Sequence, residues 1–535
     1  MKCLRDLLVI CIFSMLIFAN RACAEDYWVN DAVSLFKANR ATIYELNIRT
    51  FGAKDLDNDG IIDETKGEAR GTFINAISHL DELTKLGINT IHLLPITPVG
   101  KVKALGTAGS LYSASDFDRI NPQLVDKFSN LSDTEQAKLF IAECHRRKIR
   151  VLIDLPACGA YDLYLKHPEF FVTDSNNKPI VPSDWTDVRL LNSGSETEIN
   201  QDVYTLYTQF VDMVIDLGAD GIRADVAPLK TSLFWKKLIR ETKAKDPQFL
   251  FLAEAYNNNA ERISEYAPQT SYEKLLNAGF DSYYSNFSEI KNWTTPKELY
   301  DCIKFNMNLQ KKYNYQKSVI SSFSTHDEVS PILLHGTPFS IMIEWLSATL
   351  PFNQYFTDGF PSGDPYLYPW ANKKASKSFT DDDYYFLHRG KLDIFNFSKK
   401  PGGKNTEIYN NFEFAQKFRF LSGSAMQKSG FKILRTSDSH VFAYKRYDTT
   451  STLIVTGNLD FSNSYNKVKI FAPGINKDMT FIPLHSLNMP FVTKGKVTVD
   501  LFPGDIQVFY LELPQKNKKP QQKSYSQQLP VYRYK

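Results

Sequence analysis

Between about residue 40 and residue 360, short runs of β-branched and apolar residues alternate with longer stretches whose apolar positions recur every three or four residues. The runs at 42–49, 88–94, 150–154, 220–225, 249–254, 318–323 and 350–356 read as strands, and a weaker run at 279–283 makes an eighth. Between two of them, Val203, Tyr207, Phe210, Val214 and Leu217 form one apolar helical face that runs into Gly218. Strands apolar on both faces, separated by helices, predict a parallel sheet covered by helices. Eight such units predict a closed (β/α)8 barrel of the TIM type, with functional residues at the C-terminal ends of its strands. An open doubly wound sheet is the alternative; no glycine-rich phosphate turn follows the first run to support it.

The pattern breaks twice. From 155 to 200 there is little periodicity, which predicts a loop domain inserted after the third strand. Beyond about residue 430 short alternating segments (441–447, 453–458, 468–471, 496–501, 506–511) predict a C-terminal antiparallel β-sandwich. The expected organisation is a barrel over 25–429, with its insertion at 155–200, then a sandwich over 430–513 and a low-complexity basic tail over 514–535. Residues 1–24 read as a signal peptide. Lys2 and Arg5 precede an apolar stretch, and Ala22-Cys23-Ala24 offers a small-residue cleavage site. That stretch is short for a membrane span, so a secreted or periplasmic protein without a span in its mature chain is expected.

A chain of 535 residues with 43% hydrophobic residues is large enough for a barrel and a second module. The net charge of +3 conceals an uneven distribution. Basic residues concentrate in the first 24 residues and in the tail (Lys516, Lys518, Lys519, Lys523, Arg533, Lys535), which leaves a mildly acidic body. Such a body carries no footprint for nucleic acid. Of six cysteines, Cys144, Cys158 and Cys302 lie beyond the leader; an odd, sparse set argues against a disulfide framework, and no zinc spacing occurs. The 13% aromatic content mostly serves a core, although flat rings also stack on sugars.

Chemistry is sought where polar residues end apolar strands. In Gly221-Ile222-Arg223-Ala224-Asp225, Arg223 and Asp225 are two apart and share one side of a strand, where the guanidinium should favour an ionised carboxylate. The next strand is apolar until Glu254, whose partial desolvation should raise its pKa toward that of a general acid. The seventh strand leads to His326 and Asp327. Taken singly, a carboxylate at a strand end is as readily a cap or an ion-pair partner, and His326 a structural residue. Three acids at three strand ends instead suggest two carboxylates flanking a glycosidic bond, assisted by a third.

With these motifs the chain resembles the α-amylase family, the clan of barrel-fold enzymes acting on α-glucans. Gly221–Asp225 is similar to its G-x-R-x-D nucleophile motif, 252–255 to its acid/base motif and His326-Asp327 to its third-acid motif. Asp154 matches the aspartate of its third-strand motif, 187–192 (DVRLLN) its inserted-loop motif, and Tyr112 the tyrosine beneath the sugar. The resemblance implies that Asp225 attacks the anomeric carbon, Glu254 serves as acid and then base, and Asp327 holds sugar hydroxyls. It implies sugar contacts for Tyr112, Asp154 and His326, and a hydrogen bond from Arg223 to the nucleophile.

Departures qualify this likeness. Cys158 and Gly159 stand where the family usually has Asn-His, which removes a sugar-binding histidine and a usual calcium ligand. Pro228-Leu229 replaces the usual Lys-His, and Thr325 an asparagine. A different calcium loop is suggested by Asp55, Asp57, Asp59, the Ile61 carbonyl and Asp63, oxygen donors at alternating positions around Gly60. Lys66 at the twelfth position excludes a complete EF-hand, and an acidic solvated turn is the plainer alternative. The sequence thus predicts a secreted retaining glycosidase cleaving α-1,4 bonds in starch-like glucans or malto-oligosaccharides, with structural Ca2+. The rivals are a trehalose-forming transglycosidase or isomerase of the same clan, and a non-catalytic carbohydrate-binding relative.

Overall fold

The computed structural model describes residues 28–512, apart from 55, 57–62, 105–108, 183–184, 257–264, 366–404, 428–429, 450, 477–478 and 487–488. The leader at 1–24 and the tail at 514–535 lie outside the described residues. No described helix is long and apolar enough to cross a membrane.

Eight parallel strands close into a barrel: β1 (Thr42–Leu46), β2 (Thr90–Leu93), β3 (Arg150–Leu155), β6 (Gly221–Ala224), β7 (Leu250–Ala253), β8 (Ser282–Tyr283), β9 (Ser318–Ser321) and β10 (Asn353–Thr357), which pairs back onto β1. All eight runs expected from the sequence are therefore barrel strands. The weakest, β8, keeps only two residues in the ladder, which explains its faint signal. Helices cover the outside. That at Gln201–Asp216 buries Val203, Tyr207, Phe210 and Val214 and is capped by Asn200, whose side chain accepts from the Asp202 and Val203 amides.

Register places the polar inward positions side by side. Glu45 of β1 lies opposite His92 of β2, and Asp154 of β3 opposite Arg223 of β6. A closed barrel has no solvent channel to absorb such groups, so neighbouring strands must supply their partners.

After β3 the chain makes an excursion in which β4 (Cys158–Ala160) pairs antiparallel with β5 (Val188–Leu190). A small apolar cluster of Ala157, Cys158, Val188, Leu190 and Leu229 ties it to the loop after β6. A Cβ on Gly159 would approach the Phe171 ring to 2.8 Å, so a side chain there requires that ring to shift.

Beyond the barrel two antiparallel sheets face each other: one runs β11 (Gly430–Ile433), β13 (Val441–Tyr447), β14 (Ser451–Asn458), β19 (Ile506–Glu512), β16 (Thr480–His485), the other β12 (Arg435–Thr436), β15 (Tyr465–Phe471), β18 (Lys496–Leu501), β17 (Phe491–Thr493). Ala443, Ile454, Val468, Ile470, Val497 and Phe509 fill the space between them. Five of these strands were expected. The others escape a pattern search for physical reasons: β11 (Gly430–Ile433) and β17 (Phe491–Thr493) have no fully buried position, β12 (Arg435–Thr436) is two residues long, and β16 (Thr480–His485) is interrupted by Pro483 and a register shift. Phe442, Tyr444, Leu453 and Val455 on the five-stranded sheet share one continuous core with the barrel and its helices.

Candidate active site

One guanidinium organises the site. Arg223, 1% exposed, donates from Nη1 to both oxygens of Asp154 (3.0 Å each) and to Asp225 Oδ1 (2.9 Å), and its Nη2 lies 2.9 Å from Glu254 Oε1. Carboxylates from three adjacent strands thus converge on one cation. The remaining oxygens of two of them are held by backbone: Asp225 Oδ2 accepts from the Ala157 amide (2.9 Å), and Glu254 Oε2 from the Val226 amide (2.7 Å). Val226 adopts φ +34° and ψ +55°, a left-handed conformation that β-branched residues avoid. The strain is located at the peptide that fixes Glu254.

Tyr112 donates its hydroxyl to Asp154 Oδ2 (2.7 Å), and its ring stacks on His326 at 5.5 Å. His326 Nδ1 is hydrogen-bonded to Glu45, and its Nε2 lies 3.1 Å from the Tyr112 hydroxyl and 3.6 Å from Asp327 Oδ1. Asp327 is 43% exposed, whereas Asp225 and Glu254 are 14% and 8% exposed. Two acids are sunk in the barrel mouth and the third stands at its rim.

The structure adds residues that the motif search missed. Glu45 and His92 lie beneath the acids, His92 bridging Asp154 (3.2 Å) and the Tyr355 hydroxyl (3.0 Å), which in turn accepts from Tyr284 (3.0 Å). A polar residue inside an apolar strand was their signal in the sequence, the same one that marks Arg223. Tyr256, two residues beyond Glu254, points its hydroxyl toward that carboxylate at 3.5 Å.

Burial would raise Asp154 and Glu45, but the cations beside them hold both below the usual carboxylate range, Arg223 first for Asp154 and His326 first for Glu45. Burial opposes the charged His326, yet Asp327 and Glu45 outweigh it and bring its pKa up to about 10. Asp225 corrects the sequence reading. Burial pushes it up to about 8 despite Arg223, and burial raises Glu254 as well. Glu254 and Asp154 add to burial in raising Asp225, so ionising the two acids together is costly.

Replacing Arg223 by Met should leave three buried carboxylates without their cation and destabilise the fold by about 3–5 kcal/mol at neutral pH. The loss should shrink as the pH falls and those groups take up protons, which urea unfolding at two pH values will measure.

Of the expected calcium ligands, Asp55, Asp57, Asp59 and Ile61 lie outside the described residues. Asp63 is described; its Oδ1 accepts from the Thr65 amide (2.9 Å) and hydroxyl (2.6 Å). Glu68 accepts from the Leu56 amide (2.8 Å) and the Asp63 amide (2.7 Å), joining the two ends of the loop at its neck. Among the described residues no group of three or more His, Cys, Asp or Glu side chains is arranged to hold a metal.

A closed parallel barrel with three acids at its mouth and two antiparallel sheets behind it is the architecture of the α-amylase family, and the family resemblance of the motifs extends to the whole fold. An α-amylase from Lactobacillus plantarum superposes with a TM-score of 0.65 at 18% identity, over 89% of this chain and 99% of that one. A maltogenic α-amylase from Thermotoga neapolitana gives 0.64 at 18% identity, with 89% and 99% coverage. In sequence, the chain is 23% identical over 467 residues to an α-1,4-glucan:maltose-1-phosphate maltosyltransferase from Mycolicibacterium smegmatis, covering 83% of this chain and 60% of that enzyme. A cyclomaltodextrinase from a Bacillus species is 26% identical over 264 residues, 44% of this chain and 42% of the relative. The chain therefore spans less than two thirds of the length of these curated relatives. No family model matches it.

Proposed function

We propose that the chain is a retaining glycosidase that cleaves α-1,4-glucosidic bonds in glucans or malto-oligosaccharides outside the cytoplasm. The observation that carries this reading is the clasp of Asp225 and Glu254 by the single Arg223 guanidinium at the barrel mouth. Ionised Asp225 attacks the anomeric carbon as Glu254 gives its proton to the departing glycosidic oxygen. A covalent glycosyl-enzyme results, and Glu254, now a base, takes a proton from the incoming water, which displaces Asp225. In this reading Asp327 at the rim holds sugar hydroxyls and the Tyr112 ring packs against the sugar.

A second reading is favoured by the maltosyltransferase relatives: the covalent intermediate is released to a sugar acceptor instead of water. The two share every step before the acceptor arrives. Incubation with maltotriose, and with maltose 1-phosphate plus glucan, separates them. Glucose and maltose as products support the glycosidase. Longer glucans or trehalose support transfer, and no turnover of any α-glucan supports the non-catalytic relative.

The same reading includes structural Ca2+ in the loop from Asp55 to Asp63, an all-oxygen donor set suited to a hard cation. Chelation should lower the melting temperature, and added calcium should restore it in proportion to its concentration. Melting unchanged by chelator, together with no calcium in the purified protein by elemental analysis, would leave the loop an acidic turn.

A further inference from the structure

Asp225 is held at two points. Arg223 fixes Oδ1, and Oδ2 rests on the Ala157 amide. The peptide that supplies this amide has its carbonyl on Pro156, and that oxygen accepts from the Tyr207 hydroxyl at 2.9 Å. The next carbonyl, on Ala157, accepts the Lys230 ammonium at 2.7 Å and lies 3.3 Å from the same hydroxyl. Lys230 is 1% exposed and Tyr207 also 1%, and the ammonium lies 5.6 Å from the centre of the Tyr207 ring.

Lysine is seldom buried without a partner that compensates for its lost water. Here burial lowers it to about 8, with Cys158 and Asp225 pulling the other way. Its backbone is pinned on both sides, the amide to Ala227 O (3.3 Å) and the carbonyl to the Thr270 hydroxyl (2.5 Å). The ammonium therefore enters the 156–157 turn from a fixed point in the loop after β6, while Tyr207 reaches it from the covering helix Gln201–Asp216. Two elements grip one turn, and that turn carries the second hydrogen bond to Asp225.

We propose that Lys230 and Tyr207 are positioning residues that set the attack geometry of Asp225 through the Pro156–Ala157 turn. The proposal rests on the reading of Asp225 as nucleophile. The peptide joining the Tyr207 contact to the Asp225 contact is a rigid plane, so displacing its carbonyl rotates its amide. A nucleophile misplaced by about 1 Å costs on the order of 10²-fold in rate. Lys230 also adds a positive charge on the Oδ2 side. The charged and titratable groups facing Asp225 are then Arg223 and Asp154 from the barrel floor, Glu254 from the next strand, Tyr112, Tyr207 from the covering helix, and Cys158 and Lys230 from the loops.

The test uses the full chain with Lys230→Met, Tyr207→Phe and Asp225→Asn, assayed on maltotriose with circular dichroism as the check on folding. Both positioning variants should fold and lose about 10- to 100-fold in kcat with KM within about twofold. In Lys230→Met the acid limb of kcat/KM should also move to higher pH, because Asp225 loses a nearby cation and its pKa rises. Unchanged kcat, or an unmoved acid limb, in a folded Lys230→Met beside an inactive Asp225→Asn overturns the proposal and leaves the nucleophile reading intact. Near-normal activity in Asp225→Asn overturns that reading and the proposal with it. Should Lys230→Met fail to fold, Tyr207→Phe decides: kcat within twofold of the parent overturns the proposal.

Discussion

Asp225→Asn should reduce turnover of maltotriose by on the order of 10⁴-fold or more while leaving the protein folded, since an amide cannot form the glycosyl ester and residual binding contributes little to the rate. The substitution is nearly isosteric. Asparagine Oδ1 can still accept from Arg223 Nη1, as Asp225 does at 2.9 Å, but its amide nitrogen replaces the oxygen that accepts from the Ala157 amide. That lost hydrogen bond opposes the relief of burying a neutral group in place of a carboxyl that burial pushes up to about 8, so the melting temperature should change little. Equal substrate affinity by calorimetry, with turnover abolished, would place the whole effect in the transition state. A variant with near-normal kcat would remove Asp225 from the chemistry.

Glu254→Gln should lose about 10²- to 10⁴-fold on maltotriose, the range expected for an absent general acid–base. Its dependence on the leaving group is the sharper signature. An α-glucosyl fluoride departs without a proton, so the first step should recover while the second, deprived of its base, stalls and accumulates the covalent species. The pH profile should change as well. In the parent protein the Asp225–Glu254 pair keeps one proton well above the usual carboxylate range, because burial disfavours the second charge. Burial raises Glu254, so the proton it gives should be retained above the usual carboxylate range and activity should fall only as the pH rises beyond that range. In Glu254→Gln no acid remains to be lost, and the basic limb should disappear. An unchanged limb would assign it to another group.

What the sequence reveals of this molecule follows its periodicities. Strands buried on both faces announce themselves as apolar runs, and an acid at the end of such a run, as in Phe249-Leu250-Phe251-Leu252-Ala253-Glu254, has few places to point except the barrel mouth. Convergence was less legible. Arg223 could be paired with Asp225 by its spacing in one strand, but its contacts with Asp154 and Glu254 depend on the register across β3, β6 and β7. Glu45 and His92 carry the same polar-in-apolar signal, but no motif flanks them. The protonation of Asp225 is illegible for a related reason: one neighbouring cation is visible in the sequence, whereas the depth of burial and the nearby carboxylates of Glu254 and Asp154 belong to the fold. Lys230 gave no signal at all, since a lone lysine five residues beyond a strand is ordinarily a solvated side chain.

The proposed reaction requires two acids to meet at one scissile bond and Asp225 to form a bond to the sugar. Intact-protein and peptide mass spectrometry after treatment with a fluorinated α-glucosyl fluoride, whose ring fluorine slows breakdown of the intermediate, tests this directly. The predicted result is one added glycosyl mass, located on the peptide bearing Asp225 and absent from Asp225→Asn. Attachment to a different side chain, or steady turnover with inverted anomeric configuration and no covalent species, would contradict it.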